Sequence, residues 1–235
     1  MGIFKKTPES VYLIAGKPSD KVFVKNFLIN KKDNELIFAV DSGLEALDSI
    51  NIVPDIILGD FDSVGKEILK KYIDKKDIRI IRHNPIKDAS DTELAVDECI
   101  KARIRKIYML NCLGGRMDHT FANIYLAYKC IKNDVDVYIF DEFNKIYFRK
   151  SSFELNRSNL YGKYIAFFST YRPVSNFYIT GFKYPLRTQV LDSWLNPSLT
   201  ISNELIEPSG YVSFEDGAVM VVESRDKKPD WSNNK

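Results

Sequence analysis

Two carboxylates, Asp60 and Asp62, stand one residue apart directly after the apolar run Ile56–Leu58 and the break at Gly59. The run reads as a short buried strand, so both acids fall at its end. At roughly 5 Å and an effective dielectric of about 20, two such charges repel by about 3 kcal/mol. A cation between them reverses the sign. Hard divalent cations take oxygen ligands, and Mg²⁺ is commonly held by one or two carboxylates together with substrate phosphates. The plainer reading is a solvated turn with Asp as turn former, and the rest of the chain weighs between the two.

Three further polar clusters follow apolar runs in the same way. Asp41-Ser42-Gly43 closes Leu36–Val40, Asp88 to Thr92 follows Ile78–Ile81, and Gly114-Gly115-Arg116-Met117-Asp118-His119 follows Ile107–Leu110. Ser90 with Glu93 three residues on forms a capping box. Capping accounts for Ser90 or Asp91, but not for Asp88, Ser90, Asp91 and Thr92 together. Thr92 can donate a hydrogen bond to a phosphate. Gly114 and Gly115 let the backbone approach a phosphate at a helix start, and Arg116 offers a guanidinium fork. As plain structure, the same residues make a tight turn and a surface charge, with Asp118 and His119 as helix caps. Gly59, Gly65 and Lys66 do not form a P-loop, because the spacing is one residue too long and Glu67 stands where a hydroxyl is needed. No G-x-G-x-x-G occurs.

The elements that position these clusters alternate. Val11–Ala15 is a strand closed by Gly16-Lys17-Pro18. A helix over 20–30 turns Val22, Phe23, Phe27 and Ile29 inward. Leu44, Leu47 and Ile50 mark a short helix, and another covers about Lys66–Tyr72. The helix opened by Ser90 runs to about Lys101. Phe121, Ile124, Tyr128 and Ile131 form the apolar face of the next, and Val135–Phe140 is the last strand of this half. Short apolar strands alternating with helices indicate a mostly parallel α/β sheet covered on both faces. Ligands of such sheets lie beyond the carboxyl ends of the strands. All four polar clusters fall there, and that coincidence outweighs any single motif.

Beyond Asn144 the texture changes. Lys145–Arg149, Lys163–Ser169, Asn176–Thr180, Leu199–Ile201 and Tyr211–Glu223 are short aromatic and β-branched segments, and Glu215-Asp216-Gly217 is a hairpin signal. The expected organisation is an α/β domain over 1–143 and an all-β sandwich domain over 144–235, with a polar, frayed tail from Arg225.

Composition removes several classes. Lys+Arg 34 against Asp+Glu 32 leaves a net charge of +2, so no bulk field recommends a nucleic-acid partner. Cys99, Cys112 and Cys130 form no C-x-x-C, which argues against a disulfide framework and a zinc site. Met1 to Ser10 lacks the apolar centre of a signal peptide, and no run of about 18 apolar residues predicts a membrane span. The expected location is the cytoplasm.

Assembled, these residues resemble the thiamine pyrophosphokinase family. The likeness rests on Pro54-Asp55 with Gly59-Asp60-Phe61-Asp62-Ser63, on Asp88-Ala89-Ser90-Asp91-Thr92-Glu93, and on Gly114 to His119 with Asn123 beyond. Gly181-Phe182-Lys183-Tyr184-Pro185-Leu186 and Thr200-Ile201-Ser202-Asn203-Glu204 extend it, so that it covers about residues 11–225. The resemblance implies transfer of the pyrophosphoryl group of ATP to the thiamine hydroxyl, giving thiamine diphosphate and AMP. It implies an α/β nucleotide-binding domain, a β-sandwich, and a homodimer with thiamine near the subunit interface. By the same resemblance, Asp60, Asp62 and Asp91 gather Mg²⁺ and the phosphates. Asp41, Asp88, Ser90, Thr92 and Arg116 line the ATP site with Asp118 nearby, and Ser202 and Asn203 meet the thiamine pyrimidine. Ser42 departs from the family, which usually has Asp-Gly-Gly here, and adds a side chain next to the ligand. Asn144–Tyr161 carries no family signature.

The expected chemistry is mainly positioning and charge stabilisation. Asp91 and Arg116 belong to the catalytic set, and Asp62 or Asp91 accepts the hydroxyl proton. Two other readings use the same residues: a Mg²⁺-dependent phosphohydrolase with water as nucleophile, and a nucleotide or thiamine sensor without turnover.

Overall fold

The strand at the middle of the first sheet is buried at every position: β1, Val11–Ile14. Burial on both faces is what a parallel sheet between two helical layers demands. The computed structural model describes residues 8–16, 20–62, 64–84 and 88–230. Lys17, Pro18, Ser63, Lys87 and the tail beyond 230 lie outside the described residues. The chain divides into two compact units, Met1–Glu142 with Pro229–Lys235, and Phe143–Lys228.

In the first unit α1 (Lys21–Leu28) follows β1, then β2 (Leu36–Val40), α2 (Gly43–Asp48), β3 (Ile56–Gly59), α3 (Lys66–Ile73) and β4 (Arg79–Arg82). After these come α4 (Asp91–Lys101), β5 (Lys106–Leu110), α5 (Met117–Ile131) and β6 (Asp136–Phe140). The strands lie in the order β6-β5-β1-β2-β3-β4, each pair parallel. Asp20 caps α1, accepting from the N–H groups of Val22 and Phe23. Phe23 is buried, whereas Val22 is exposed, as is Ile29, which lies just past the end of α1, so the inward stripe of α1 is narrower than expected. Phe27 packs among Tyr12, Tyr108 and Phe140 of β1, β5 and β6. Lys129 of α5 reaches Glu93 and Asp97 of α4, each at 2.9 Å, and ties the two helices together.

The predicted apolar face of α5 is corrected. Phe121 is 53% exposed, and the buried residues are Thr120, Asn123, Leu126, Ala127, Cys130 and Ile131. The first turns of the helix face a loop of polar backbone instead of the hydrophobic core, so hydrogen-bonding side chains take the inward positions there. Cys99, Cys112 and Cys130 are buried free thiols.

Ser42 is accommodated without difficulty. It adopts φ −60° and ψ −7° at the start of α2, angles open to any residue, and the left-handed angle falls on Asp41, φ 46°. Gly43 is the strict position, because a Cβ there would lie 1.9 Å from the Ile14 carbonyl oxygen.

In the second unit β7 (Asn144–Arg149), β9 (Tyr164–Ser169), β12 (Asn203–Glu204) and β14 (Val219–Ser224) form an antiparallel array in the order β12-β9-β14-β7. A second sheet runs β11-β10-β13-β8, from β8 (Phe153–Asn156), β10 (Val174–Thr180), β11 (Leu186–Leu191) and β13 (Ser209–Ser213). Phe167 of β9 meets Phe153 of β8 and Phe177 of β10, so the two layers pack face to face.

Two expectations fail here. Leu199–Ile201 is a turn rather than a strand. The Thr200 hydroxyl accepts from the Phe167 N–H and donates to the Phe167 carbonyl, taking both groups that a strand would have paired. Glu215-Asp216-Gly217 is not a hairpin turn. β13 pairs with β10 and β8, while β14 pairs with β7 and β9, so the chain changes sheets at this point. Arg172 holds Asp216 and Asn176 holds Glu215, each at 2.6 Å, and Gly217 takes φ 95°.

Buried Glu35 accepts from Ser10 Oγ at 2.7 Å, Tyr12 Oη at 3.1 Å and the Lys32 N–H at 2.9 Å. Burial pushes its carboxyl up, but the Lys32 N–H and the two hydroxyls outweigh that and hold it below the ordinary carboxylate value. A lowered folded pKa contributes stability above the unfolded pKa and loses it as pH falls through the folded one. Glu35→Gln is therefore expected to cost about 2 kcal/mol at neutral pH, with the gap to wild type closing below about pH 4, read by urea denaturation at both pH values. In the same assay Gly43→Ala is expected to cost about 2–3 kcal/mol. Ser42→Gly should stay within about 1 kcal/mol.

Candidate active site

β1 has β2 on one side and β5 on the other, and α4 carries the chain from β4 across the sheet to β5. Open α/β sheets bind ligands where the winding reverses, beyond the carboxyl ends of the strands. A cleft of about 800 Å³ lies there. Its wall is made by Ala15 and Gly16 after β1, Val40 to Ser42 at the end of β2, Ser90 to Thr92 at the start of α4, and Asn111 to Arg116 between β5 and α5. His119 and Asn123 of α5 complete it.

Three acids meet beside this cleft. One carboxylate oxygen each from Asp41, Asp60 and Asp91 lies within 4.8 Å of the others, and Asp91 is buried. Each comes from a different element end. Asp41 follows β2 and donates its N–H to the Leu58 carbonyl at 3.0 Å, which draws it over the end of β3. Gly59 makes the room, since a Cβ there would meet Asp41 Oδ1 at 1.9 Å. Asp60 follows β3 directly, and its Oδ1 accepts the Asp62 N–H at 3.1 Å. Asp91 opens α4, held by Ser90, whose hydroxyl accepts the Glu93 N–H at 3.1 Å. The expected capping box is half made, because the Glu93 carboxylate goes to Lys129 instead.

Such crowding costs about 3 kcal/mol per pair at an effective dielectric of about 20. The donor set is all oxygen, and Mg–O distances of about 2.1 Å in an octahedron put adjacent ligands about 3 Å apart and opposite ones about 4 Å apart. The trio is of the right donor chemistry for a hard divalent cation, and its oxygens would draw closer around one.

The structure brings Asp41, Ser90, Asp91, Thr92 and Arg116 to one cleft and Asp60 to its acid corner. Asp62 is exposed and stands outside the carboxylate trio. Phe61 between the two acids is left-handed, φ 66°, and breaks the extended alternation that would have put positions 60 and 62 on one side. The Arg82 guanidinium covers the Phe61 ring at 5.5 Å. Asp88 is exposed and does not line the cleft. Asp118 is the partner of Arg116, with Oδ1 3.2 Å from Nε and Oδ2 2.5 Å from Nη2. The guanidinium holds the Asp118 carboxyl below its ordinary value. Arg116 stands just before α5 and gives it no side-chain cap, while Asp118 Oδ1 accepts the His119 N–H at 3.0 Å; a helix start of this kind attracts negative charge. Asp55, part of the same motif, sits at the far end of β3 and binds the Ile37 N–H at 2.8 Å, a sheet-joining role.

Sequence reasoning missed Asp41 as the third acid. The available signal was adjacency: β2 and β3 pair in parallel, so residues just past their ends share one height. It also left Thr120 without a role, because a hydroxyl inside a helix carries no distinctive pattern.

In the second unit Ser202 is left-handed, φ 56°, and lines a hollow of about 460 Å³ with Tyr164, Phe168 and Asp226 among its walls. Tyr164 donates its hydroxyl to Asp226 at 3.0 Å. Asn203 is only 2% exposed. Its amide donates to the Tyr184 carbonyl at 2.8 Å and accepts the N–H groups of Tyr184 and Glu204 at 3.0 and 2.9 Å. It therefore fixes the backbone under an exposed Tyr184 ring.

Residues 28–139 match the family model "Thiamin pyrophosphokinase, catalytic domain", and residues 150–219 match "Thiamin pyrophosphokinase, vitamin B1 binding domain". The thiamine pyrophosphokinase of Bacillus subtilis is 29% identical over 219 residues, 93% of this chain and 100% of the relative. The crystal structure of thiamine pyrophosphokinase from that organism superposes with a TM-score of 0.81 at 27% identity, covering 93% of this chain and all of the other. The corresponding structure from Geobacillus thermodenitrificans gives 0.75 at 26% identity, over 95% of this chain and 99% of the other. Among the described residues no helix is long and apolar enough to cross a membrane. With both family models matched in order along one chain, and the acid trio at the switch point of the first, the chain belongs to the thiamine pyrophosphokinase family.

Proposed function

We infer that the chain makes thiamine diphosphate, transferring the pyrophosphoryl group of ATP to the thiamine hydroxyl and releasing AMP. The observation that carries this is the acid trio beside a cleft of about 800 Å³, in a chain that matches both family models. The hydroxyl oxygen bonds to the β-phosphorus as the bond from that phosphorus to the α–β bridging oxygen breaks. AMP leaves with the bridging oxygen, and the hydroxyl proton passes to a carboxylate.

Asp41, Asp60 and Asp91 are the residues suited to hold Mg²⁺, which when bound would neutralise polyphosphate charge. Arg116, kept in orientation by Asp118, faces the phosphates together with the Gly114-Gly115 backbone. Ser90 and Thr92 offer hydroxyls from the first turn of α4, and Asp88 lies just outside. With Asp91 committed to the cation, exposed Asp62 is the carboxylate that takes the proton. Positioning of the two substrates carries most of the acceleration, as phosphoryl transfer needs little covalent help from the protein.

Thiamine belongs to the second unit. Ser202 contacts it at the 460 Å³ hollow, and Asn203 acts by holding Tyr184. The chain works as a homodimer with thiamine near the subunit interface, a reading supported by the exposure of Trp194 and Leu195 in the second unit. Three free thiols and an ATP substrate suit the cytoplasm.

Incubation with ATP, Mg²⁺ and thiamine is expected to yield AMP and thiamine diphosphate by chromatography, and neither without thiamine. Phosphate release in the absence of thiamine would replace transfer with hydrolysis. Asp60→Asn should raise the Mg²⁺ concentration for half-maximal rate about a hundredfold. Asp62→Asn should lower kcat by at least about a hundredfold with the Mg²⁺ dependence unchanged.

A further inference from the structure

Two buried polar side chains on α5 have no part in the chemistry above. Thr120 is 7% exposed and Asn123 8%. Both aim their donors at the loop that joins β5 to α5. Asn123 Nδ2 donates to the Cys112 carbonyl at 2.9 Å, and Thr120 Oγ1 donates to the Gly114 carbonyl at 3.2 Å. A longer contact runs from Thr120 Oγ1 to the Arg116 carbonyl, 3.5 Å.

That loop does not hold its shape unaided. Asn111, Gly114 and Gly115 take left-handed φ angles of 59°, 78° and 63°. A Cβ at either glycine would meet nothing within 4 Å, so neither glycine is there to let protein pack closely. Each is there for its backbone angle, beside the cleft. Glycine backbones in open space populate many conformations, whereas an anion site built from N–H groups needs one.

Peptide geometry connects the two observations. In a planar trans peptide the C=O and the following N–H point in opposite directions. Drawing the Gly114 carbonyl toward Thr120 therefore turns the Gly115 N–H away from the helix. Drawing the Cys112 carbonyl toward Asn123 does the same for the Leu113 N–H. The two bonds also keep both carbonyl oxygens from turning toward a phosphate, which they would repel.

We propose that Thr120 and Asn123 are positioning residues for the nucleotide: they pin the carbonyls of Gly114 and Cys112 so that the loop meets the phosphates with its N–H groups. The proposal rests on the reading of Gly114-Gly115 as the phosphate loop. Neither side chain is assigned to the reacting atoms.

The test separates this from a role in stability alone. Thr120→Val and Asn123→Leu are each expected to raise the KM for ATP about tenfold, the worth of one charge-assisted hydrogen bond. The KM for thiamine and kcat at saturating ATP should stay within about twofold. Thr120→Ser, which keeps the hydroxyl, should restore the ATP KM, and calorimetry with ATP and Mg²⁺ should give the same loss of affinity. Thr120→Val is nearly isosteric and carries the test if Asn123→Leu does not fold. An unchanged ATP KM in Thr120→Val, a parallel rise in the thiamine KM, or a Ser variant as weak as Val would overturn the proposal. If the wild type made no thiamine diphosphate, the functional reading would fall, while weaker ATP binding by the variants would still support the loop assignment.

Discussion

Like charges crowded at the end of a parallel sheet are the condition that the first unit is built to sustain. Asp41, Asp60 and Asp91 repel one another by several kcal/mol in the absence of a cation, yet Asp41 and Asp91 are anchored by backbone geometry that does not depend on their charge. Asp41 is fixed by its N–H on the Leu58 carbonyl and by the absence of a side chain at Gly59. Asp91 is fixed by the capped start of α4. Acids held in this way stay near one another without a bound ion to gather them. The cost sits in left-handed residues at the strand ends, Asp41 and Phe61 among them, which is where strain is expected near functional sites.

The alternation of short apolar runs with helical spacing was enough to read the first unit, because β1, β2 and β3 are apolar throughout and their ends carry turn residues. The clusters at Asp41 and Asp60 were legible for the same reason, each falling just after a strand, whereas Asp91 opens α4 well beyond the end of β4. Adjacency was harder to see. That Asp41 and Asp60 are neighbours follows from the pairing of β2 with β3, whereas that Asp62 is not follows from a single left-handed Phe61, and sequence spacing speaks to neither. The second unit was read less well. Thr200 replaces ladder bonds with its side chain, and Glu215-Asp216-Gly217 moves the chain between sheets although its composition is that of a hairpin turn. Both are decided by long-range partners.

The misread face of α5 follows from the same distinction between core and site. Helical periodicity finds the stripe that meets hydrophobic neighbours, and Leu126, Ala127 and Cys130 obey it. The first turns of the helix have different neighbours, a loop whose carbonyls need donors. Thr120 and Asn123 supply them, and Phe121 is left facing solvent. An inward hydroxyl or amide near the start of a helix that follows a Gly-Gly turn is thus a signal for the loop rather than for the core.

Helices α4 and α5 both begin at the cleft, and Lys129 bridges them through Glu93 and Asp97. One helix carries Asp91 to the acid trio and the other follows the Gly114-Gly115 loop, so the separation between trio and loop is set by how these helices pack. The bridge is partly exposed and contributes modest stability. Its geometric role is larger, since a shift of either helix along its axis would move Asp91 relative to the Gly114-Gly115 loop. Glu93 serves this bridge in place of completing its capping box, which indicates that the registry of the two helices takes precedence over the stability of one helix end.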